Sequence, residues 1–456
     1  MISSCLLVGG FSAEDEWGGR DRIQLSPWRS SVESTSDITA GMSELLGLLS
    51  HSRDRVGVLV RPDDALSESY RRLGSDVQWT LCPVYADGGA APEPAESRIE
   101  PFAVTARLAA YFTSTGERWP FPQLETIARV NSKRWSHEVR RAFMRIEAAW
   151  ASTASQVDSA ARMLLSQGPI VIKEDFGVSG KGNCVVREPS QLRSLVRLIE
   201  QQERQGRRGG FVVEPLLDKL TDFSGHFTVH EDGRTSFDGF RQMLNVGHRY
   251  VASFALPDHI QQRLQAGSYL READVVLSAL VKERYFGPVC IDGLMLCDGS
   301  AISTLEVNAR MSMGRLSLAL DRKAMRHGLQ SLLFTMRVRA GLRLPDSIDA
   351  LADSAAAGDR SFAKVLAELD RRRVLYEQGA SGGFLLLGGS TTTQRWYGGY
   401  FFDAEADPVR DFAELLAAAR DCDVMVDDSF PIKALCAHVT QLQRSLQHDQ
   451  PAACLA

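Results

Sequence analysis

The segment at 287–315, GPVCIDGLMLCDGSAISTLEVNARMSMGR, constrains the fold of this chain more than any other stretch. Two apolar runs flank the turn-forming residues CDGSA, a pattern that predicts an antiparallel hairpin. Across such a hairpin, Asp292 faces Glu306 directly only if the loop holds three residues, from Asp298 to Ser300. A two-residue loop would place the two carboxylates on opposite faces. Asp-Gly followed by Ser suits a three-residue loop with a glycine bulge, so we predict that Asp292 pairs with Glu306.

The same register gives the hairpin a polar face. Strand alternation puts Asn308 on the face that Glu306 occupies. Carboxylate and amide oxygens are hard ligands that suit Mg²⁺ bridging nucleotide phosphates. Because Asp292 and Glu306 lie among apolar residues, where an unpaired carboxylate is costly, the three residues are candidate metal ligands. Two strands with incidental acidic residues are the alternative.

A second segment, VIKEDFGVSGKGN at 171–183, places a glycine-rich loop between two apolar runs. Glycine follows Lys181 where a Walker loop needs Ser or Thr, and a strand follows where both a Walker loop and a dinucleotide fingerprint need a helix. A flap that closes over a triphosphate fits, with Lys173 reaching phosphate from the preceding strand, and a plain turn is the alternative. The candidate flap residues are Gly177, Ser179, Gly180, Lys181 and Gly182.

Three further segments complete the pattern. NSKRWSHEVRRAFMRIEAAWAS at 131–152 predicts a helix with Asn131 or Ser132 as its cap. PSQLRSLVRLIEQQE has apolar residues at helical spacing and predicts an amphipathic helix. GGFVVEPLL is typical of a buried strand that ends at Glu214-Pro215, where the proline leaves backbone groups unpaired. Such a hinge can offer a carbonyl and an N–H group to the edge of an adenine.

Composition limits the class of protein. With 456 residues the chain is too long for one ordinary core, so two or three domains are expected. The net charge of -5 excludes a general attraction to nucleic acid or anionic lipid. The first residues, MISSCLLVGGFSAEDEWGG, predict a strand followed by a glycine turn and have no basic region typical of a signal peptide. No run approaches 18 apolar residues. We therefore expect a cytoplasmic protein, with its eight cysteines as free thiols.

The order of these motifs resembles that of the ATP-grasp superfamily. The matching stretches are NSKRW, VIKEDFGVSGKGN, VVEPLL, DFS, CIDGLM and LEVNARMS, which together cover about 125–340. The resemblance implies two α+β subdomains that clasp ATP. We expect an N-terminal α/β domain at 1–122 and the ATP-grasp domain at 123–342. Within it, the flap subdomain covers about 123–210 and the metal-binding subdomain about 211–342, and a small C-terminal domain follows at 343–456.

The resemblance also implies roles for residues of this chain. Lys133 and Lys173 would contact phosphates under the flap, and Asp222 would hold the ribose. Glu214 and Leu216 would bind adenine through backbone groups. One or two Mg²⁺ ions, or Mn²⁺, would be held by Asp292, Glu306 and Asn308. Catalytic and substrate-binding roles would fall to Arg310, Lys173, Arg241 and Arg315.

The usual reaction of the superfamily joins a carboxylate to an amine through an acyl phosphate, with ATP converted to ADP and phosphate. Dipeptide ligases of the D-alanine type carry an arginine two residues before the metal-binding aspartate, where this chain has Cys290. The EVNAR form is closer to carboxylases, so Arg310 would take over that role. The arrangement of flanking domains is similar to the pheganomycin-type peptide ligases of actinobacterial natural-product pathways. That likeness implies an amino acid, nonproteinogenic and guanidino-bearing in that family, joined to a peptide amine.

Alternatives stay open at this point. The nucleophile could be a carrier-protein thiol, with the basic runs at 204–210 or 371–373 as a docking patch. The protein could bind nucleotide without turnover, or stop at phosphorylation as a kinase. Small amino acid and peptide substrates are the expected partners, without nucleic acid or membrane, and a homodimer is compatible with the sequence. The glycine-rich run SGGFLLLGGSTTTQRWYGGYFF would line a peptide groove, with Trp396 and Tyr397 stacking on substrate, or form a packed strand pair.

Overall fold

The computed structural model of the protein describes residues 4–19, 21–25, 35–85, 97–144, 146–177, 182–247, 249–339, 361–392 and 394–448. Its N-terminal part is a parallel sheet with flanking helices. The strands are β1 (Cys5–Val8), β2 (Arg55–Val58), β3 (Gln78–Leu81) and β4 (Arg98–Pro101), and the helices are α1 (Ala13–Gly18), α2 (Thr35–Glu44), α3 (Asp64–Arg72) and α4 (Ala106–Thr115). The order β3-β2-β1-β4 is parallel throughout, which confirms the predicted N-terminal α/β architecture.

Two short helices, α5 (Leu124–Val130) and α6 (Lys133–Arg140), connect this part to the next sheet. The hydroxyl of Ser132, one of the two residues predicted as the cap, accepts a hydrogen bond from the N–H of Trp135 at 3.1 Å and caps α6. The helix ends at Arg140, whereas the sequence predicted a helix that continued to about residue 152. It stops because Ala149–Ala151 pairs with the distant strand at Phe211–Pro215.

The second sheet has four antiparallel strands in the order β5-β8-β6-β7. They are β5 (Ala149–Ala151), β6 (Ile170–Glu174), β7 (Asn183–Val186) and β8 (Phe211–Pro215), with the helices α7 (Ala154–Leu165) and α8 (Pro189–Arg204). Helix α8 is the predicted amphipathic helix, and its apolar residues Leu192, Leu195, Val196 and Ile199 are buried against the sheet. Strands β6 and β7 are the two apolar runs that flank the glycine-rich loop.

A nine-stranded sheet forms the rest of the described chain. Its strands are β9 (Lys219–Val229), β10 (Thr235–Val246), β11 (Arg249–Phe254), β12 (Gly287–Leu296), β13 (Ala301–Asn308), β14 (Gln330–Arg339), β15 (Gly382–Gly388), β16 (Arg395–Phe402) and β17 (Met425–Val426). The helices are α9 (Asp258–Ala266), α10 (Tyr269–Lys282), α11 (Met313–Met325), α12 (Ser361–Arg371), α13 (Pro408–Asp421) and α14 (Ile432–His448). The order is β13-β12-β9-β10-β11-β14-β16-β15, with β17 beside β14.

The β12–β13 hairpin has the predicted pairing of Asp292 with Glu306, but its turn and its strand register both differ from the prediction. The turn closes between Leu296 and Ser300, where the N–H of Leu296 donates to the carbonyl of Ser300 at 2.8 Å. Gly299 takes the left-handed conformation, with φ of +80°, that this turn needs. A register shift between Asp292 and Leu294 then restores the pairing of the two carboxylates.

The C-terminal strands belong to this same large sheet, since β16 pairs with β14 along its length. The interpretation of residues 381–402 as a substrate groove is wrong for the residues that were to carry it. Trp396 is 1% exposed and Tyr397 2% exposed, so neither ring can stack on a substrate. The space beside Gly398 is filled by the ring of Phe334, and these residues form the packed strand pair that was the alternative.

One hydrophobic core connects the N-terminal helices to the C-terminal strands. It includes Leu7 of β1, Tyr70 of α3, Leu385 of β15 and Leu442 of α14. The hydroxyl of Tyr70 donates to the carbonyl of Leu387 at 3.0 Å, across that core. None of the helices in the described residues is long and apolar enough to cross a membrane.

Candidate functional site

The candidate metal ligands lie in a row of side chains across four strands of the large sheet. Glu306 on β13 faces Asp292 on β12, which faces Ser224 on β9, which faces Arg241 on β10. Residues directly opposite each other in a sheet point to the same face. The sheet therefore presents two carboxylates side by side, followed by a hydroxyl and a guanidinium.

Asp292 is the most perturbed of these groups. Burial, followed by the negative charge of Glu306, raises the pKa of Asp292 to about 7. Its Oδ2 atom accepts a hydrogen bond from the Asn308 side chain at 2.8 Å, and its Oδ1 atom accepts from the thiol of Cys290 at 3.3 Å. This paired, desolvated carboxylate is the kind of group that a divalent cation stabilises in its charged form.

Lys133 connects this row to the flap sheet. Its Nζ atom lies 3.0 Å from Oε1 of Glu306 and donates to the carbonyl of Gly177 at 2.9 Å. Gly177 immediately precedes the part of the flap that lies outside the described residues. The ammonium group therefore lies where the large sheet and the base of the flap meet.

Lys173 lies on β6 and forms a buried ion pair with Glu214 on β8. The second carboxylate oxygen of Glu214 accepts from the guanidinium of Arg140 at 2.5 Å. Burial alone would raise the pKa of Glu214, but Lys173 and then Arg140 outweigh it and lower that pKa to about 2. Both oxygens of this carboxylate are held by cations in the interior.

One of the backbone groups predicted to bind adenine at the end of β8 already has a partner within the protein. The N–H of Leu216 donates to the carbonyl of Pro169 at 2.8 Å, so it is engaged within the flap sheet and is not free for a ligand. Asp222 lies on β9 two residues before Ser224, on the face of the metal-ligand row. Its carboxylate accepts from Lys219 at 2.5 Å, and its side chain is 14% exposed.

Of the predicted flap residues, Ser179, Gly180 and Lys181 lie outside the described residues. Gly182 closes the base of the loop, where its carbonyl accepts from the N–H of Glu174 at 2.8 Å. A side chain at Gly182 would come within 2.9 Å of the Glu174 carboxylate, so the close packing there requires glycine.

The three predicted arginines all have partners in the folded chain. Arg310 forms an ion pair with Glu14 of α1 and donates to the Asn308 side-chain oxygen at 3.1 Å. The guanidiniums of Arg241 and Arg315 are bound by carboxylates, at 2.5 Å from Asp321 and 2.6 Å from Asp238 respectively. Of the three, only Arg310 contacts a candidate metal ligand.

The donor set fits a magnesium ion bound together with phosphates. Asp292 and Glu306 supply carboxylate oxygens, and Asn308 supplies an amide oxygen on the same face. The described residues contain no group of three or more His, Cys, Asp or Glu side chains suited to holding a metal ion. The ion would thus depend on two carboxylates, one amide and oxygens from the nucleotide.

Sequence reasoning missed two charged residues of this site. Arg140 lay within a segment interpreted only as a helix, and Glu14 within a segment interpreted only as a turn after β1. Both act across long sequence separations, on Glu214 and Arg310. The only local sign of their roles was a charged residue at a helix position where packing would favour an apolar side chain.

The sequence matches no family model and no curated protein. Solved structures do resemble the fold. The biotin carboxylase domain dimer of Hydrogenobacter thermophilus 2-oxoglutarate carboxylase, in complex with MgADP, ADP and bicarbonate, is 11% identical, with a TM-score of 0.52 over 98% of this chain and 96% of that chain. N5-carboxyaminoimidazole synthetase from Staphylococcus aureus is 10% identical, with a TM-score of 0.48 over 92% of this chain and 97% of that chain.

The likeness to the Hydrogenobacter domain concerns the fold, because identity is so low. The fold is that of the ATP-grasp proteins, with an N-terminal α/β part, a small flap sheet and a large antiparallel sheet. This confirms the fold class that the sequence predicted. The narrower likeness to pheganomycin-type ligases stays a prediction.

Proposed function

We propose that the protein is an ATP-dependent ligase that activates a carboxylate as an acyl phosphate and transfers the acyl group to an amine. The observation that carries the proposal is the position of Lys133, whose one ammonium group contacts both Glu306 and the carbonyl of Gly177. Cations and paired carboxylates therefore converge where the large sheet meets the base of the flap. Phosphoryl transfer needs charge neutralisation and alignment, which this arrangement supplies without a protein nucleophile.

The roles proposed for the site residues follow from their charges. Lys133 and Lys173 neutralise phosphate oxygens, and Asp222 binds the ribose. Asp292, Glu306 and Asn308 would hold Mg²⁺, which supplies positive charge next to the transferred phosphoryl group when it is bound. Glu214 orients Lys173 and, at the end of β8, contributes backbone groups to the adenine site.

In the first half-reaction, a substrate carboxylate oxygen attacks the γ-phosphorus and the bond to the β,γ-bridging oxygen breaks, giving ADP and an acyl phosphate. In the second, the amine attacks the acyl carbon, the carbon–oxygen bond to phosphate breaks, and phosphate and a proton leave. Arg310 stabilises negative charge on the acyl phosphate or on the tetrahedral intermediate. It keeps contact with Asn308, and its second partner Glu14 would share or release the guanidinium.

Arg241 and Arg315 take a lesser part in the proposal. All three predicted arginines are paired with a carboxylate, so binding a substrate at any of them would require exchange of an ion pair. Arg310 is placed first because it also donates a hydrogen bond to Asn308, one of the candidate metal ligands.

The finer assignment is a peptide ligase that joins an amino acid, guanidino-bearing in the family it resembles, to a peptide amine in natural-product biosynthesis. It rests on the sequence resemblance alone. We propose with it a cytoplasmic homodimer. Transfer to a carrier-protein thiol is the second candidate. It would need a basic docking patch, and in the run at 371–373 both Arg371 and Arg372 are paired with acidic side chains of this chain, which makes it the weaker candidate.

Phosphate release from Mg-ATP with mass spectrometry of the products tests the proposal. Amino acids, guanidino acids and short peptides are supplied together, with Glu306→Ala as the inactive variant and Glu405→Ala, at an exposed position, as the matched control. We expect ADP, phosphate and a new amide in the wild type and the control only. A phosphorylated acceptor without an amide would indicate a kinase, and nucleotide binding without any turnover would contradict the ligase.

A further inference from the structure

Helix α6 covers the free edge of β13, the strand that carries two of the candidate metal ligands, Glu306 and Asn308. Strand β13 is at the end of the large sheet, and Lys133, Ser136 and Arg140 lie on one face of the helix at positions i, i+3 and i+7. All three contact β13. Lys133 pairs with Glu306, the hydroxyl of Ser136 accepts from the N–H of Val307 at 3.2 Å, and Arg140 donates to the carbonyl of Leu305 at 3.0 Å.

The same two cations of α6 also reach the flap sheet. Lys133 donates to the carbonyl of Gly177, and Arg140 donates to Oε2 of Glu214 at 2.5 Å. Each end of this helix thus carries one cation that contacts both sheets. Arg140 and Glu214 are 4% and 3% exposed, so their interaction is shielded from water and salt.

We propose that Arg140 is a positioning residue that sets the location of Lys173 and the relation of the two sheets in the ATP site. The proposal rests on the proposed function, because it concerns the residue through which Lys173 is held. Arg140 itself donates to the carbonyl of Leu305 and to Glu214. It acts through Glu214, one of whose oxygens it holds while the other holds Lys173.

The geometry requires an arginine. The planar guanidinium directs Nη1 to Leu305 and Nη2 to Glu214, and so spans two sheets with one rigid group. A lysine has one nitrogen and could keep only one of the two contacts. Without any cation at position 140, the free oxygen of Glu214 would compete for the N–H groups of Lys173 that are otherwise available to phosphate.

Three variants of the full chain separate positioning from simple stability. Arg140→Ala removes the guanidinium, and Arg140→Lys keeps the positive charge but has only one nitrogen. Arg141→Ala alters the exposed neighbouring arginine and is the matched control. ATP affinity is measured by titration calorimetry, together with KM for ATP, kcat and the melting temperature. Methylguanidinium is then added to each variant, because it can refill the space that Arg140→Ala leaves.

We expect the dissociation constant and KM for ATP to rise about tenfold or more in Arg140→Ala and Arg140→Lys, and by less than about twofold in Arg141→Ala. Methylguanidinium should recover part of the ATP affinity of Arg140→Ala and none of that of Arg140→Lys. A purely structural role would lower the melting temperature but leave the affinity of the folded fraction unchanged and without rescue.

The two proposals fail in different ways. If the wild type binds ATP and both Arg140 variants bind it equally well, the positioning role is overturned while the proposed function stands. If the wild type binds no ATP at all, the proposed function is overturned and the positioning role falls with it.

Discussion

Lys133 forms an ion pair with Glu306 at 3.0 Å while it donates to the carbonyl of Gly177, so one side chain joins β13, which carries candidate metal ligands, to the base of the flap. The lysine is buried, and it is the first residue of α6. Its ammonium group is therefore positioned by contacts within the protein. This preorganisation is what a phosphate-binding cation requires.

Replacing Lys133 with methionine tests its role directly. The change keeps most of the buried volume but removes the charge, so Glu306 loses its cation and a bound phosphate loses a contact. We expect ATP affinity to fall by about 1.5–3 kcal/mol, the range of a charge-assisted hydrogen bond. Titration calorimetry measures it, and Lys282→Met, at an exposed position on α10, is the control. Equal affinities for the two variants would show that Lys133 does not contact the nucleotide.

Protonation of Glu44 should make the protein more stable in mild acid than at neutral pH. Glu44 is buried at the end of α2 and accepts hydrogen bonds from the N–H groups of Gly389 and Ser390 at 2.5 and 2.9 Å. Burial outweighs these donors and raises the pKa of Glu44 from 4.5 to about 6. Since the folded state binds the proton more tightly than the unfolded state, the contribution is fully present below pH 4.5 and is lost as pH rises through 6.

The expected size of this effect is about 2 kcal/mol in the free energy of unfolding. Urea unfolding at several pH values between 4 and 7 measures it. In Glu44→Gln this pH-dependent contribution should disappear, and at neutral pH the variant should be less stable because its amide NH₂ faces backbone N–H donors. Glu405→Gln, at an exposed position, should keep the wild-type slope. An unchanged slope in Glu44→Gln would assign the pH dependence to other groups.

Protonation of Glu214 should have the opposite effect and lower the stability of the protein in acid. Lys173 and Arg140 lower the pKa of Glu214 from 4.5 to about 2 despite burial, so its stabilising contribution is present above pH 4.5 and is lost as pH falls toward 2. The loss is about 3 kcal/mol at most, and part of it belongs to the coupled cations. The difference in unfolding free energy between wild type and Glu214→Gln, followed from pH 5 to pH 3, should shrink as pH falls. A constant difference would contradict this.

Gly398→Ala tests the packing of β16 against β14. A methyl group at this position would lie 2.4 Å from the Cζ atom of Phe334, inside a close-packed core. We expect a loss of about 1–3 kcal/mol in unfolding free energy, with ATP affinity unchanged. Adding Phe334→Leu should recover part of the loss, which a double-mutant cycle measures. Simple additivity of the two changes would show that they do not contact each other.

Local sequence patterns predicted those parts of the structure that depend on neighbouring residues. The spacing of Leu192, Leu195, Val196 and Ile199 predicted α8, and Ser132 was one of the two residues predicted to cap α6. The pairing of Asp292 with Glu306 was predicted correctly, although the turn and the register shift each differed from the expected loop and compensated for one another. A count of loop residues cannot reveal a bulge further along the strand.

The features that escaped prediction depend on contacts between distant segments. The end of α6 at Arg140 follows from pairing of β5 with β8, some sixty residues later in the chain. The contact of Arg140 with Glu214 spans 74 positions, and it depends on the side of β13 along which the helix lies. The burial of Trp396 and Tyr397 depends on β14, because glycine-rich strands fit both a groove and a tightly packed pair.

The shared core of N-terminal helices and C-terminal strands has a consequence for how the protein is made. Tyr70 and Glu44 emerge from the ribosome more than 300 residues before Leu387 and Gly389, the partners that bury them. Until residues 387–389 have been made, the N-terminal segment therefore keeps apolar surface and a carboxylate exposed to water. Slow translation between the two segments would prolong that interval, and exposed apolar surface favours aggregation of the nascent chain.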